Sequence, residues 1–184
     1  MPVAEGGCLC GLVRYAVQDN PVRVTACHCR FCQRATGSAY HVAPVFTEEN
    51  FSVTQGEPKI YTHISDGSGK ALYIRFCPEC GTKLYLSLER FPGTVGVYGG
   101  TFDEPNFFAS RYPISKQIFL ASGRHGTIVP EGVESFWGHA IDADDRLIES
   151  ICFSQPTTLV TDSDGRATAR SNPRNAGTRG TSSG

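Results

Sequence analysis

The chain has 184 residues, of which 40% are hydrophobic and 19% charged, and its formal net charge is −1. This balance fits one domain with a real core and excludes a disordered chain. Nothing in the overall charge draws it to nucleic acid or an anionic membrane, and no apolar run approaches the roughly 20 residues of a membrane span.

Taken in chain order, the start Met1-Pro2-Val3-Ala4-Glu5-Gly6-Gly7 lacks a basic segment followed by an apolar stretch. It reads as no secretory signal, so a cytoplasmic location is the expectation. Short runs rich in branched and aromatic residues predict strands over 12–17, 23–26, 40–46, 59–64, 71–76, 83–88, 94–98 and 116–121. In Lys83-Leu84-Tyr85-Leu86-Ser87-Leu88 the leucines alternate with polar or amphipathic residues, as a half-buried strand requires. Turn residues punctuate the runs, as in Asp19-Asn20-Pro21, Gln55-Gly56-Glu57-Pro58 and Asp66-Gly67-Ser68-Gly69. The one helical segment expected is short, Gln33-Arg34-Ala35-Thr36, stopped by Gly37. From about Asp162 the sequence loses its apolar residues, which predicts a flexible tail over 161–184 after a domain over 1–160. The tail arginines Arg166, Arg170, Arg174 and Arg179 are sparse and lack interleaved aromatics, so nucleic acid is not an expected partner.

Seven of the eight cysteines fall in three clusters: Cys8-Leu9-Cys10, Cys27-His28-Cys29-Arg30-Phe31-Cys32 and Cys77-Pro78-Glu79-Cys80. Thiols one or two residues apart close a chelate ring around one ion more readily than an unstrained disulfide. Soft thiolates in this spacing point to zinc rather than to the spread-out cross-links of a small secreted scaffold. Cys152 stands alone in Ile151-Cys152-Phe153 and reads as a small buried apolar residue rather than a nucleophile.

Seven thiolates divide as four plus three. Pro78 and Gly81 allow a tight turn around Cys77 and Cys80, which need a second pair. That pair is Cys8/Cys10 or two members of the middle cluster, with parsimony favouring Cys8, Cys10, Cys77 and Cys80 as one closed site. Cys27, Cys29 and Cys32 then form a three-thiolate set with room for a fourth, soft ligand such as a small-molecule thiol. His28 is the alternative fourth ligand, although in an extended chain it points away from its cysteine neighbours. Arg30 and Arg34 flank the trio and are expected to offset its charge or hold a carboxylate, with Arg34 or Ser38 a candidate for stabilising an oxyanion. Tyr40, His41, Phe46, Tyr98 and Phe102 either shape a pocket beside the trio or fill the core.

Several runs carry a resemblance to a known family. They are Gly6-Gly7-Cys8-Leu9-Cys10-Gly11-Leu12-Val13-Arg14-Tyr15, Cys27 through Ser38, Arg75-Phe76-Cys77-Pro78-Glu79-Cys80-Gly81-Thr82 and Gly99-Gly100-Thr101-Phe102-Asp103. Over residues 5 to 120 the chain resembles the glutathione-dependent formaldehyde-activating enzymes, whose domain is shared with centromere protein V. The resemblance implies a mainly β, zinc-binding β-tent fold, like that of a Rab-exchange chaperone and related to methionine sulfoxide reductase B. It implies two zinc ions, a structural one on Cys8, Cys10, Cys77 and Cys80 and a labile one on Cys27, Cys29 and Cys32. The implied activity is carbon–sulfur lyase chemistry, in which a small thiol, glutathione, adds to formaldehyde or another small electrophile. One departure stands out: in Ser110-Arg111-Tyr112-Pro113-Ile114, Pro113 occupies a position where many members carry histidine, and the only tryptophan, Trp137, lies well beyond. Two other readings stay open on the residues alone: a zinc-scaffold interaction module without catalysis, and a zinc lyase or hydrolase acting on a glutathione-independent substrate.

Overall fold

The computed structural model describes residues 3–108 and 113–171. Within them the chain forms fourteen strands and one α-helix: β1 (Ala4–Gly7), β2 (Arg14–Val17), β3 (Arg23–Cys27), α1 (Arg30–Thr36), β4 (His41–Thr47), β5 (Phe51–Gln55), β6 (Lys59–Ile64), β7 (Ala71–Phe76), β8 (Lys83–Leu88), β9 (Phe91–Val97), β10 (Lys116–Ile118), β11 (Ile128–Val129), β12 (Glu134–Ser135), β13 (Thr157–Thr161) and β14 (Ala167–Ser171). The mainly β expectation holds. An eight-stranded sheet in the order β12-β10-β3-β4-β9-β8-β7-β6 is flanked by two three-stranded sheets, β1-β2-β5 and β11-β13-β14. Pairing is antiparallel except at β10, which runs parallel to both β3 and β12.

The strands expected over 59–64, 71–76 and 83–88 coincide with β6, β7 and β8. Leu84 and Leu86 are buried while Lys83, Tyr85 and Ser87 are half-buried, so the alternation reports the sheet's two faces. The strand expected over 116–121 stops at Ile118, because Phe119 takes a left-handed conformation (φ 61) and opens a single 3-10 turn, Leu120–Ser122.

The stretch expected to begin a flexible tail turns back instead. β14 pairs with β13 from Thr157↔Ser171 to Thr161↔Ala167. The turn between them is held by Asp162, whose Oδ1 accepts from the amides of Asp164 (3.0 Å) and Arg166 (2.8 Å). β14 has little apolar surface of its own. Its Ala167 closes a small core of Leu120, Val129 and Leu159 built by other segments, so composition alone misjudges it. Residues 172–184, with Arg174 and Arg179, lie outside the described residues.

The main core gathers Val13, Tyr15, Val17, Val24, Phe46, Leu84, Val95, Val97 and Phe102 around buried Cys77. Phe46 and Phe102 therefore belong to the core rather than to a pocket. Tyr15 stacks on Phe51, and its hydroxyl pairs with Thr101 Oγ1 at 2.9 Å. Gly6 runs directly beneath this ring, where a Cβ would collide with the Tyr15 hydroxyl and the Thr101 carbonyl. Tyr15→Phe is expected to cost about 1 kcal/mol in denaturant unfolding, the usual net value of one buried hydrogen bond.

A pH dependence follows from His139. Its ring packs between Phe91 and Phe119, and its Nδ1 accepts from the Ile141 amide at 3.1 Å. Burial, and then the charge of Arg90, holds its pKa below the ordinary 6.5. The unfolded chain thus binds the proton more readily than the folded one. The stability contributed is complete above pH 6.5 and is lost as pH falls through the lowered folded value. Urea titrations between pH 7.5 and 5 should show this decline, and His139→Asn, which keeps an acceptor without titrating, should flatten it.

Candidate metal centres and the adjoining cleft

Cys8 and Cys10 sit in the turn between β1 and β2, and Cys77 and Cys80 in the turn between β7 and β8. The two turns are built alike. The Cys8 amide donates to Val13 O (3.0 Å) and the Gly11 amide to Cys8 O (3.1 Å). Likewise Cys77 N donates to Thr82 O (2.9 Å) and Gly81 N to Cys77 O (3.0 Å), with Gly81 at φ 71, the conformation that favours glycine. The four sulfurs lie within 4.8 Å of one another, with Cys8–Cys10 at 3.5 Å and Cys10–Cys77 at 3.6 Å. A tetrahedral ion with bonds of about 2.3 Å to sulfur sets edges of about 3.8 Å, so the donor set fits one metal ion.

Backbone and hydroxyl donors already face these sulfurs. The Val13 amide reaches Cys8 Sγ at 3.2 Å and Thr82 Oγ1 lies 3.1 Å from Cys80 Sγ. The Thr82 hydroxyl, its amide and the Cys10 amide draw the Cys80 thiol down to about 5. Among the two choices left open by spacing, the structure brings Cys77/Cys80 together with Cys8/Cys10.

The other three cysteines converge at the start of α1. Cys27 ends β3, Cys29 is the N-cap and Cys32 lies in the first turn. Cys29 keeps an extended backbone, and its sulfur accepts from the Cys32 amide at 3.3 Å. That sulfur cap starts the helix at Arg30, three residues before the expected segment, while Gly37 (φ 70) ends it as expected. Cys27 and Cys29 Sγ are 3.4 Å apart, and all three sulfurs lie within 4.8 Å. Hydrogen bonds from the Cys27 and Cys32 thiols, helped by the Cys32 and Phe31 amides, draw Cys29 down to about 3. The same contacts push Cys27 and Cys32 up. Without a cation the cluster favours the thiolate at Cys29 over those at Cys27 and Cys32.

His28 is not gathered with the trio. Its ring is fully buried and its Nε2 meets Gln117 Oε1 on β10 at 2.8 Å, as the alternation along β3 leads one to expect. Gln33 of α1 secures the arrangement by donating to His28 O (2.6 Å) and Ser122 O (2.7 Å). Arg34 is exposed on α1 and makes no ion pair among the described residues. Ser38 spends its hydroxyl on Tyr40 O.

A cleft of about 600 Å³ opens beside the four-cysteine cluster and the C-terminal half of α1, the helix whose first turn carries Cys32. Cys80, Gly81 and Thr82 form one side, Ala35 and Thr36 of α1 another, and Tyr40, His41 and Tyr98 line it further. His28 Nδ1, His41 Nε2 and the Tyr98 hydroxyl are the buried side-chain polar atoms without a hydrogen-bond partner among the described residues. Cys29 and Cys32 lie within reach of their charge: the Cys29 thiolate acts on His28 and His41, and Cys32 on Tyr98. In the sequence His41 and Tyr98 stand out only as members of a group of aromatics. Gln117 and Gln33 gave no signal, because nothing local marks a glutamine that will be buried by a distant strand.

Pro113 is exposed. Trp137 is 37% exposed, and its carbonyl accepts from the Ala121 amide. Cys152 is exposed as well, contrary to expectation, since Ile151 bridges Ser135 and leaves its neighbour facing out. Among the described residues, no helix is long and apolar enough to cross a membrane.

The model of the family described as glutathione-dependent formaldehyde-activating enzyme matches residues 3–122, which contain both cysteine clusters and every residue lining the cleft. The chain belongs to that family. A putative glutathione-dependent formaldehyde-activating enzyme of Colletotrichum graminicola is 32% identical over 134 residues, spanning 63% of this chain and 68% of the relative. One of Fusarium vanettenii with the same description is 31% identical over 126 residues, covering 59% and 66%. A crystal structure of a Rhodobacter sphaeroides protein superposes with a TM-score of 0.45 at 21% identity, covering 54% of this chain and 88% of that one. The formaldehyde-activating family match ends at residue 122, so β11 to β14 lie beyond it.

Proposed function

We propose that this chain is a zinc-dependent carbon–sulfur lyase-type enzyme that joins a small thiol, glutathione in the first instance, to formaldehyde or a related small aldehyde, and cleaves the same adduct in reverse. Cys8, Cys10, Cys77 and Cys80 would hold a structural zinc, giving a zinc-bound β-tent, and Cys27, Cys29 and Cys32 a second, reactive one. The reading is carried by the three-donor cluster at the start of α1, the helix whose later residues Ala35 and Thr36 line the cleft: four sulfurs close a coordination shell and three leave a position for a visiting ligand. Cys27, Cys29 and Cys32 would hold a zinc ion whose positive charge would lower the pKa of a thiol brought to it. The adjoining cleft of about 600 Å³ is roomy enough for a short peptide thiol. In the reaction the S–H bond breaks, the C–S bond forms, the carbonyl π pair moves to oxygen and the proton ends there.

What the chain itself contributes is placement. α1 and β3 fix the trio's sulfurs, Gln33 and Gln117 fix the backbone that carries them, and α1 continues from the trio into the cleft wall at Ala35 and Thr36. A reducing compartment such as the cytoplasm would keep all seven thiols available. Titration of glutathione into the zinc-loaded protein, followed calorimetrically with and without formaldehyde, tests the reading. Saturable binding that disappears in Cys29→Ser is expected. Absence of binding at millimolar glutathione, unchanged by formaldehyde, would remove it.

A further inference from the structure

We infer that the Tyr98 hydroxyl and His41 Nε2 together receive the oxygen of the electrophile, an inference that rests on the thiol–aldehyde reading above. The two rings stack with centroids 4.2 Å apart and an interplanar angle of 26°. Both side chains line the cleft, and both are more than nine-tenths buried, at 7% and 4% exposure. Yet each presents a polar atom with no partner among the described residues. A fold rarely leaves such an atom orphaned, because desolvating it without a hydrogen bond is costly. Two orphans side by side in the wall of a reaction cleft, both within electrostatic range of the cysteine trio, mark a place where a ligand completes the bonding.

The pair also has a chemical direction. In the tautomer that carries its proton on Nδ1, His41 presents Nε2 as an acceptor. The Tyr98 hydroxyl is free to donate. A carbonyl oxygen satisfies only the donor. A hydroxyl satisfies both, accepting from Tyr98 and donating to His41. As the C–S bond forms and the π pair moves onto oxygen, that oxygen takes the proton that originated on the thiol. Tyr98 donates to it throughout, and His41 accepts the new O–H. The site therefore gains a hydrogen bond as the reaction proceeds, which is the condition for lowering a barrier rather than merely binding substrate.

The test compares wild type, Tyr98→Phe, His41→Leu and His41→Gln as zinc-loaded full chains. Three quantities are read: thermal midpoint, glutathione affinity by calorimetry, and the rate at which ¹³C-formaldehyde exchanges into glutathione by NMR. Tyr98→Phe removes only an unpartnered hydroxyl, so its midpoint should not fall and its glutathione affinity should stay within about twofold of wild type. Its exchange rate should drop about 100-fold, the scale of losing one oxyanion donor. Formaldehyde should raise the midpoint of glutathione-bound wild type further, and this extra rise should be missing in Tyr98→Phe. His41→Gln, which keeps an acceptor, should recover part of the rate lost in His41→Leu. A Tyr98→Phe protein that retains both the wild-type rate and the extra rise overturns the inference while leaving the parent reading intact. Wild type that neither binds glutathione nor accelerates exchange overturns both, and that outcome is visible before any variant is made.

Discussion

Replacing Cys77 by serine is expected to unfold the protein. Cys77 is wholly buried, at 0% exposure, and lies in the main core beside Leu84 and Val97. Its cluster ties the β1–β2 turn to the β7–β8 turn across nearly seventy residues of chain, and these turns belong to different sheets. Apparent binding energies of structural zinc in small peptides run to about 10–16 kcal/mol. A domain of this kind has a total stability of about 5–15 kcal/mol. Even half of the metal contribution would consume most of that margin, and the polar serine hydroxyl adds a desolvation cost in a core site. Far-UV circular dichroism and size-exclusion chromatography should show loss of the native state, and a strong chelator should reproduce it in wild type. A Cys77→Ser protein with native dichroism and an unchanged unfolding midpoint would show that the four-cysteine site does not hold the fold.

Replacing Cys29 by serine should do the opposite: abolish activity and spare the fold. Serine is itself a good N-cap, so the hydrogen bond from the Cys32 amide survives the exchange and α1 is kept. Gln33 still anchors the helix to His28 O and Ser122 O. What disappears is one of the trio's three sulfur donors. Elemental analysis should find metal falling from about two ions per chain to about one, because two thiolates rarely retain what three or four hold. Adduct formation should fall at least about 100-fold, towards the uncatalysed rate, since both thiol activation and placement are lost together. Unchanged metal content would move the second ion elsewhere, and unchanged activity would show that the trio is not the reactive centre.

The parts of this molecule that sequence made legible are those whose information is local. β6, β7 and β8 were bounded correctly because alternation and flanking turn residues lie within each segment. The two metal-site candidates were readable because chelate spacing is itself a local property. β1 was missed: Ala4-Glu5-Gly6-Gly7 has no branched residue, and it is a strand because Gly6 lets the Tyr15 ring approach and β2 offers a partner. β14 was missed for the same reason, its order being lent by β13 and by Leu120 and Val129. At the site, sequence places Arg34 near the trio, and the structure shows it exposed on α1. His41 and Tyr98 became informative only when burial and the missing partners of their polar atoms were known.

The parallel strand β10 has a bearing on biosynthesis. The four-cysteine site is complete in sequence by Cys80, whereas the trio's supporting backbone waits for Gln117 to meet His28, for Ile118 O to accept the His28 amide and for Ser122 O to receive Gln33. About forty further residues must leave the ribosome between these two events. The nascent chain could therefore assemble the four-cysteine cluster and its framework early, while Cys27, Cys29 and Cys32 would stay loosely held and open to oxidants or competing metals until the later segment arrives.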